Sequence, residues 1–279
     1  MPRHVPQLGP SDPTPDLQRI PVGPRRRAQL NVPTSRVSRP SHVRRGSAHR
    51  RRSQFAGAVV CPRRHARRGT INADGFGVAW WQAGSVRSYR NAMPIWSDPA
   101  VDDVLPQLDS TSVIAAVRSA TVGMPVERSA CAPFTDGRWA FSHNGVVRGW
   151  PHSLTDLWSE VPPEDALTLP APTDAAAVWI VLRQLLATLE PPAALAAVVR
   201  RIEARAPGSR LNFLLGDGEN LYATAVRHAL SVRSSGDAVT IASEPTDDNS
   251  DWTPVDDRSL VVATASEFTV SRLDEEEHT

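Results

Sequence analysis

Apolar residues are spread unevenly along this 279-residue chain. From Gly69 onward they fall in short, dense runs separated by turn residues. The run INADGFGVAWW is interrupted by Asp-Gly and Gly, which predicts a turn leading into a buried strand. SVIAAVRSAT, residues 112–121, has the β-branched density of a strand that ends in polar residues. RWAFSHNGVV, residues 138–147, is a third strand candidate. Residues 174–188, DAAAVWIVLRQLLAT, predict an apolar helix with Asp174 placed as an N-cap, and PAALAAVVRRIEAR, 192–205, predicts a second. RLNFLLGDGENLYATAV and ALSVRSSGDAVTIAS then carry the Asp-Gly and Ser-Gly turns expected of antiparallel hairpins, and RSLVVATASEFTVSRL adds further strand. Strands, two helices and strands again predict an α+β layered domain with largely antiparallel sheets.

Residues 1–68 show neither the strand nor the helix period. They read as Arg, Pro, Ser and Ala punctuation, and charge makes the contrast sharper. Residues 19–68 hold 15 arginines and no acidic residue, whereas 69–279 hold 15 arginines against 28 acids. The overall charge of +1 hides this segregation, and the chain has no lysine. A tract so apolar-poor and self-repelling cannot offset its ordering entropy, so disorder is expected over 10–55 and a domain boundary at 68/69. With 41% hydrophobic residues, the chain can still build a sizeable core in the remainder. There is no apolar run of membrane-spanning length and no secretory-type leader, so a cytoplasmic protein is expected. The two cysteines, Cys61 and Cys131, supply neither a disulfide framework nor metal-type spacing, and no metal or cofactor is expected.

Four polar positions interrupt the apolar elements: Asn72 with Asp74, Arg118 with Thr121, His143-Asn144-Gly145, and Asp174. Each has an ordinary reading. Asn72 to Gly75 reads as a turn, Asp174 as a helix cap, and His143 as a packing residue. Asn144-Gly145 reads as a type I′ hairpin turn. Arg118, inside an apolar strand, needs a partner for its charge. Taken together they suggest a site. Arg118 can grip a carboxylate bidentately and Asp174 can accept from an ammonium group, so the pair suits the amino-acid end of a ligand such as glutamate. The Asn144 side chain and Gly145 N–H can stabilise a tetrahedral oxyanion.

The stretches NADGFGVAW, AAVRSATVGMPVERSACAPFTDGRWAFSHNGVV, RLNFLLGDGENLYATA and ASEPTDDNSDWTPVDDRSLV resemble the class II glutamine amidotransferase-like hydrolases of ergothioneine biosynthesis, from about Pro62 to Leu273. The resemblance implies an N-terminal-nucleophile αββα sandwich, two antiparallel sheets between helical layers. It implies removal of glutamate from a small-molecule partner, γ-glutamyl-hercynylcysteine S-oxide. It also implies that Arg118, Thr121, His143 and Asp174 bind the substrate, and that Asn144 and Gly145 form the oxyanion hole.

In that family the nucleophile is a cysteine at position 2 whose own α-amine is the base. Here Pro2 stands in its place, although Arg3-His4 and Leu8-Gly9-Pro10 echo the family's opening. Cys61 is a poor substitute, separated from Asn72 by only ten residues. Cys131 is internal and is expected to pack as a small apolar residue. An Arg-, Pro- and Ser-rich tract is what a GC-rich gene yields out of frame, so a frame or start error ahead of a functional enzyme is the first expectation. A γ-glutamyl-binding pseudoenzyme, or a general glutaminase, is the alternative. A sandwich deprived of its nucleophile strand would expose unpaired backbone groups. The arginine tract would bind nucleic acid only non-specifically, because it lacks interleaved aromatics.

Overall fold

The computed structural model describes residues 72–121, 123–236, 238–247 and 249–274, together with the backbone of strand β1 (Ala56–Val59). The apolar run after Gly75 forms β2 (Phe76–Gln82), and a tight turn at Ala83 and Gly84, both at positive φ, returns the chain as β3 (Ser85–Asn91). β3 escapes the hydrophobic pattern because it is a polar edge strand, SVRSYRN. A short helix α1 (Ala100–Asp103), flanked by 3-10 turns, then leads to β4 (Ser112–Val117).

A small hairpin, β5 (Phe134–Asp136) and β6 (Trp139–Val146), precedes the short helices α2 (Thr155–Ser159) and α3 (Pro163–Ala166). The two predicted long helices follow as α4 (Asp174–Leu186) and α5 (Pro191–Arg205). The chain ends in β7 (Arg210–Gly216), β8 (Leu221–Ala225), β9 (Ser231–Ser234), β10 (Val239–Ala242), the two-residue β11 (Thr253–Pro254), β12 (Ser259–Ala263) and β13 (Phe268–Arg272).

Two sheets stack face to face. One has seven strands in the order β11-β9-β10-β1-β4-β2-β3, the other six in the order β13-β12-β8-β7-β6-β5. The six-stranded sheet is antiparallel throughout. The seven-stranded sheet departs from that pattern at its centre, where β1 is parallel to both β4 and β10. This strand comes from the arginine-rich segment ahead of the expected 68/69 boundary, just past the residues 10–55 expected to be disordered. Its backbone pairs on both sides, with β10 and with β4. The rest of that tract, Pro2 and Cys61 included, lies outside the described residues.

Ile114, Trp81 and Ile241 from one sheet interleave with Leu214, Leu221 and Val261 from the other. The opposite face of the six-stranded sheet carries Phe141, Phe213 and Leu215 against α4 and α5, with Phe141 stacked on Trp179 at 5.6 Å. α4 is buried on nearly every side from Ala176 to Leu182, which explains its unbroken apolar sequence. Full burial of each large apolar side chain stabilises the fold by about 1.5–3 kcal/mol. The second helical layer is thin: among the described residues only α1 and its flanking turns, through Val101 and Leu105, cover β2 and β4. No helix among the described residues is long and apolar enough to cross a membrane.

Candidate active site

β4 and β10 are both parallel to β1, so their C-terminal ends emerge at the same edge of the seven-stranded sheet. Arg118 is the first residue past β4 at that edge. Its backbone is clamped to the Asp74-Gly75 turn: Arg118 N–H donates to the Gly75 carbonyl (2.8 Å), and Asp74 N–H donates to the Arg118 carbonyl (3.1 Å). The Asp74 carboxylate accepts from Ala120 N–H at 2.7 Å. Gly75 has φ +125°, and a Cβ there would collide with Cys131 Sγ. Gly77 is equally pressed by the Ala132 carbonyl, so both glycines of DGFG are required by close approach. Among the described residues Arg118 Nη1 is buried without a hydrogen-bond partner, a costly state for a charged group unless a ligand completes it.

The Asn144-Gly145 pair does not form a hairpin turn. It lies inside β6, with Asn144 opposite Asn212 and Gly145 opposite Leu211 on β7. The pairing partner forces the glycine: Gly145 has φ +156°, and a Cβ would strike the Arg210 carbonyl oxygen and approach His143 Nε2 at 2.9 Å. On its other side β6 is paired with β5 only as far as Phe141. Beyond it, alternate N–H groups of residues 142–146 on that edge have no strand partner among the described residues, as an oxyanion site requires.

His143 packs edge-on against Phe213, ring centres 5.1 Å apart, with Nε2 3.0 Å from the Arg210 carbonyl. A carbonyl can only accept, so Nε2 carries the proton. Burial pushes the imidazole pKa below its ordinary 6.5, against the opposing pull of Asp174. A neutral ring at neutral pH follows.

Asp174 is the first residue of α4, not its N-cap. Thr173 caps the helix, its Oγ1 accepting from Ala176 N–H at 3.2 Å, because it holds the extended backbone of a cap. The Asp174 carboxylate accepts from Val147 N–H (2.9 Å) and from Ala175 N–H (2.8 Å). These bonds fix the side chain between β6 and α4 while leaving lone pairs for a further donor.

All six predicted residues, Arg118, Thr121, His143, Asn144, Gly145 and Asp174, line one cleft. Asn72 does not line it. Met124, Ala130 and Ala132 add an apolar wall that the sequence did not signal, since nothing local distinguishes them from loop residues. Ser142 and Asn144 also border a smaller cavity between the sheets, shared with Asn212 and Ser243. Cys131 is fully buried, its Sγ 3.3 Å from the Asn91 carbonyl, and burial raises its thiol pKa, consistent with an inert packing residue. No group of three or more His, Cys, Asp or Glu side chains suited to a metal ion occurs among the described residues.

Residues 58–236 match the family of class-II glutamine amidotransferases. The gamma-glutamyl-hercynylcysteine sulfoxide hydrolase of Mycobacterium tuberculosis is 40% identical over 215 residues, 76% of this chain and 84% of the relative. The protein of that name from Mycolicibacterium smegmatis is 40% identical over 201 residues, 72% of this chain and 81% of the relative. Among solved structures, a glutamine aminotransferase class-II domain protein from Silicibacter pomeroyi superposes with a TM-score of 0.58 at 24% identity, covering 72% of this chain and 92% of its own. The fold is thus shared beyond the sequence relatives.

Proposed function

Because this chain belongs to the class-II glutamine amidotransferases, we propose that it hydrolyses the amide of a γ-glutamyl small molecule, with γ-glutamyl-hercynylcysteine sulfoxide as substrate. The observation that carries the reading is the convergence of Arg118, Thr121, His143, Asn144, Gly145 and Asp174 on one cleft, with a buried guanidinium nitrogen of Arg118 unpaired among the described residues. Arg118 takes the α-carboxylate of the glutamyl group and Asp174 its ammonium. His143, neutral and tied to the Arg210 carbonyl, and Thr121 complete the wall around the glutamyl chain. The γ-carbonyl then sits by Asn144 and Gly145, whose N–H groups receive the negative charge when a nucleophile adds to it. In the Pro2→Cys form the introduced thiolate makes the new bond to the γ-carbon. Collapse breaks the C–N bond, the amine leaves with the proton that the α-amine of the same residue took from the thiol, and water releases glutamate from the thioester.

We assign the activity to the domain of residues 69–279, with β1 of the preceding segment completing its seven-stranded sheet, and to the cytoplasm. The arginine tract contributes only non-specific contact with nucleic acid. Pro2 at the family's nucleophile position favours a second reading for the chain as written, in which the cleft binds γ-glutamyl ligands without turnover.

Glutamate release from a γ-glutamyl thioether sulfoxide, with glutamine as comparison, tests both readings on the chain and on its Pro2→Cys variant. Release by the variant alone means a competent site lacking its nucleophile. Glutamate binding without release by either favours the binding reading, and absence of both binding and release sinks the proposal.

A further inference from the structure

We propose that Asp74 is a positioning residue: by holding the backbone that follows β4, it sets where the Arg118 guanidinium stands in the cleft. The inference rests on the proposed reading of the cleft and goes beyond it, because Asp74 does not line the cleft.

Three hydrogen bonds join Asp74 and Gly75 to the three residues that begin at Arg118. Two are backbone bonds, Arg118 N–H to the Gly75 carbonyl at 2.8 Å and Asp74 N–H to the Arg118 carbonyl at 3.1 Å. They resemble a continuation of the pairing between β2 and β4, which ends at Phe76 opposite Val117. The third is the side-chain bond, Ala120 N–H to Asp74 Oδ2 at 2.7 Å, and it reaches past the end of the ladder. It is the bond that turns the chain after Arg118 instead of letting the strand run on. Beyond Ala120 the loop carries Thr121, whose carbonyl accepts from Met124 N–H at 2.9 Å, and both residues line the cleft.

The anchor is rigid from below. Gly75 has no room for a Cβ against Cys131 Sγ, and that buried thiol lies 3.3 Å from the Asn91 carbonyl and 3.4 Å from the Glu127 carbonyl. Among the described residues no hydrogen bond or ion pair to the Arg118 side chain is found, and its buried Nη1 has no partner. Its position in the cleft is therefore inherited from its backbone, and its backbone is held by Asp74. A carboxylate suits the task because an ionised acceptor makes a stronger bond to an N–H than a neutral one.

The test is calorimetric binding of L-glutamate to the full chain and to Asp74→Ala, Asp74→Asn, Arg118→Ala and the Asp74→Ala/Arg118→Ala double variant. Asp74→Ala is expected to weaken binding by about tenfold or more. Asp74→Asn, which keeps an acceptor oxygen, is expected to stay within about threefold of the unmodified chain. The double variant should bind no more weakly than Arg118→Ala alone, since a residue that acts through Arg118 has nothing left to act on. A general structural role would not produce that non-additivity. Unchanged affinity in Asp74→Ala, or additive losses in the double variant, overturns the inference while leaving the reading of the cleft intact. Failure of the unmodified chain to bind glutamate overturns both. If Asp74→Ala does not fold, Asp74→Ser, whose shorter side chain does not reach Ala120 N–H, replaces it alone and with Arg118→Ala: a tenfold loss that vanishes in the double variant supports the role, and unchanged affinity or additive losses overturn it.

Discussion

Gly145 carries two requirements on one Cα. Its strand must stay paired with β7, and the chain at Arg210 comes so close that any side chain collides with the Arg210 carbonyl and crowds His143. Gly145→Ala should therefore lower stability by about 1–3 kcal/mol and, by separating β6 from β7, disturb the oxyanion site. Urea unfolding and glutamate binding measured together check this; a variant as stable as its parent would show that the strand has room to give. At this scale the residue types were readable in advance. Arginine, aspartate and an Asn-Gly pair at the ends of apolar runs stand out because a buried charge or amide needs a partner. Asn144-Gly145 was also readable as a turn, and no local rule separates the two. The choice fell to β7, whose Leu211 and Asn212 extend the ladder past the point where a turn would end it.

Among the elements, the loop after β10 is held by one carboxylate. Asp247 accepts from Arg233 at 2.7 Å and from Trp252 Nε1 at 2.9 Å, while the Arg233 guanidinium lies 4.7 Å over the Trp252 ring. Those hydrogen bonds, Trp252's foremost, pull the Asp247 pKa down to about 2 from the ordinary 3.8. An unfolded chain binds the proton more readily, so this contribution to stability is complete above about pH 4 and is lost as the pH falls from 3.8 towards 2. Asp247→Asn should remove that acid-dependent step and leave the pH dependence above 5 unchanged, as followed by thermal unfolding across pH. A profile identical to the parent's below pH 4 would show that the loop is not fastened this way. The main elements followed from period and turn chemistry, as with α4 and the β7-β8 hairpin. β3 did not, because an edge strand needs no apolar alternation, and its pairing with β2 supplies what its sequence lacks. The cap of α4 was misplaced by one residue for a similar reason: Thr173 and Asp174 are both good caps, and the bond from Val147 N–H to Asp174 draws aspartate into the helix.

For the whole molecule, β1 joins the β10 side of its sheet to the β4 side, pairing with Thr240 and Val113 through Gly57. A strand that began at a nucleophile beside Arg118 and ran into the sheet would lie antiparallel to β4, whereas β1 is parallel to it. Gly57→Pro removes a ladder donor from this central strand and should cost about 1–3 kcal/mol through the carbonyl it orphans. An unchanged urea midpoint would show that β4 and β10 hold together without this strand. The sequence by itself determined the layered α+β class, the two long helices, the strand-rich flanks and the residue types of the site, because period, turn chemistry and isolated buried charges are local properties. Only the tertiary structure decided that six residues spread from Arg118 to Asp174 share one cleft, that Asn144-Gly145 is strand and not turn, and that Ala56–Val59 completes a sheet. Each of those depends on pairing partners distant in sequence, and no window along the chain contains both halves of such a pair.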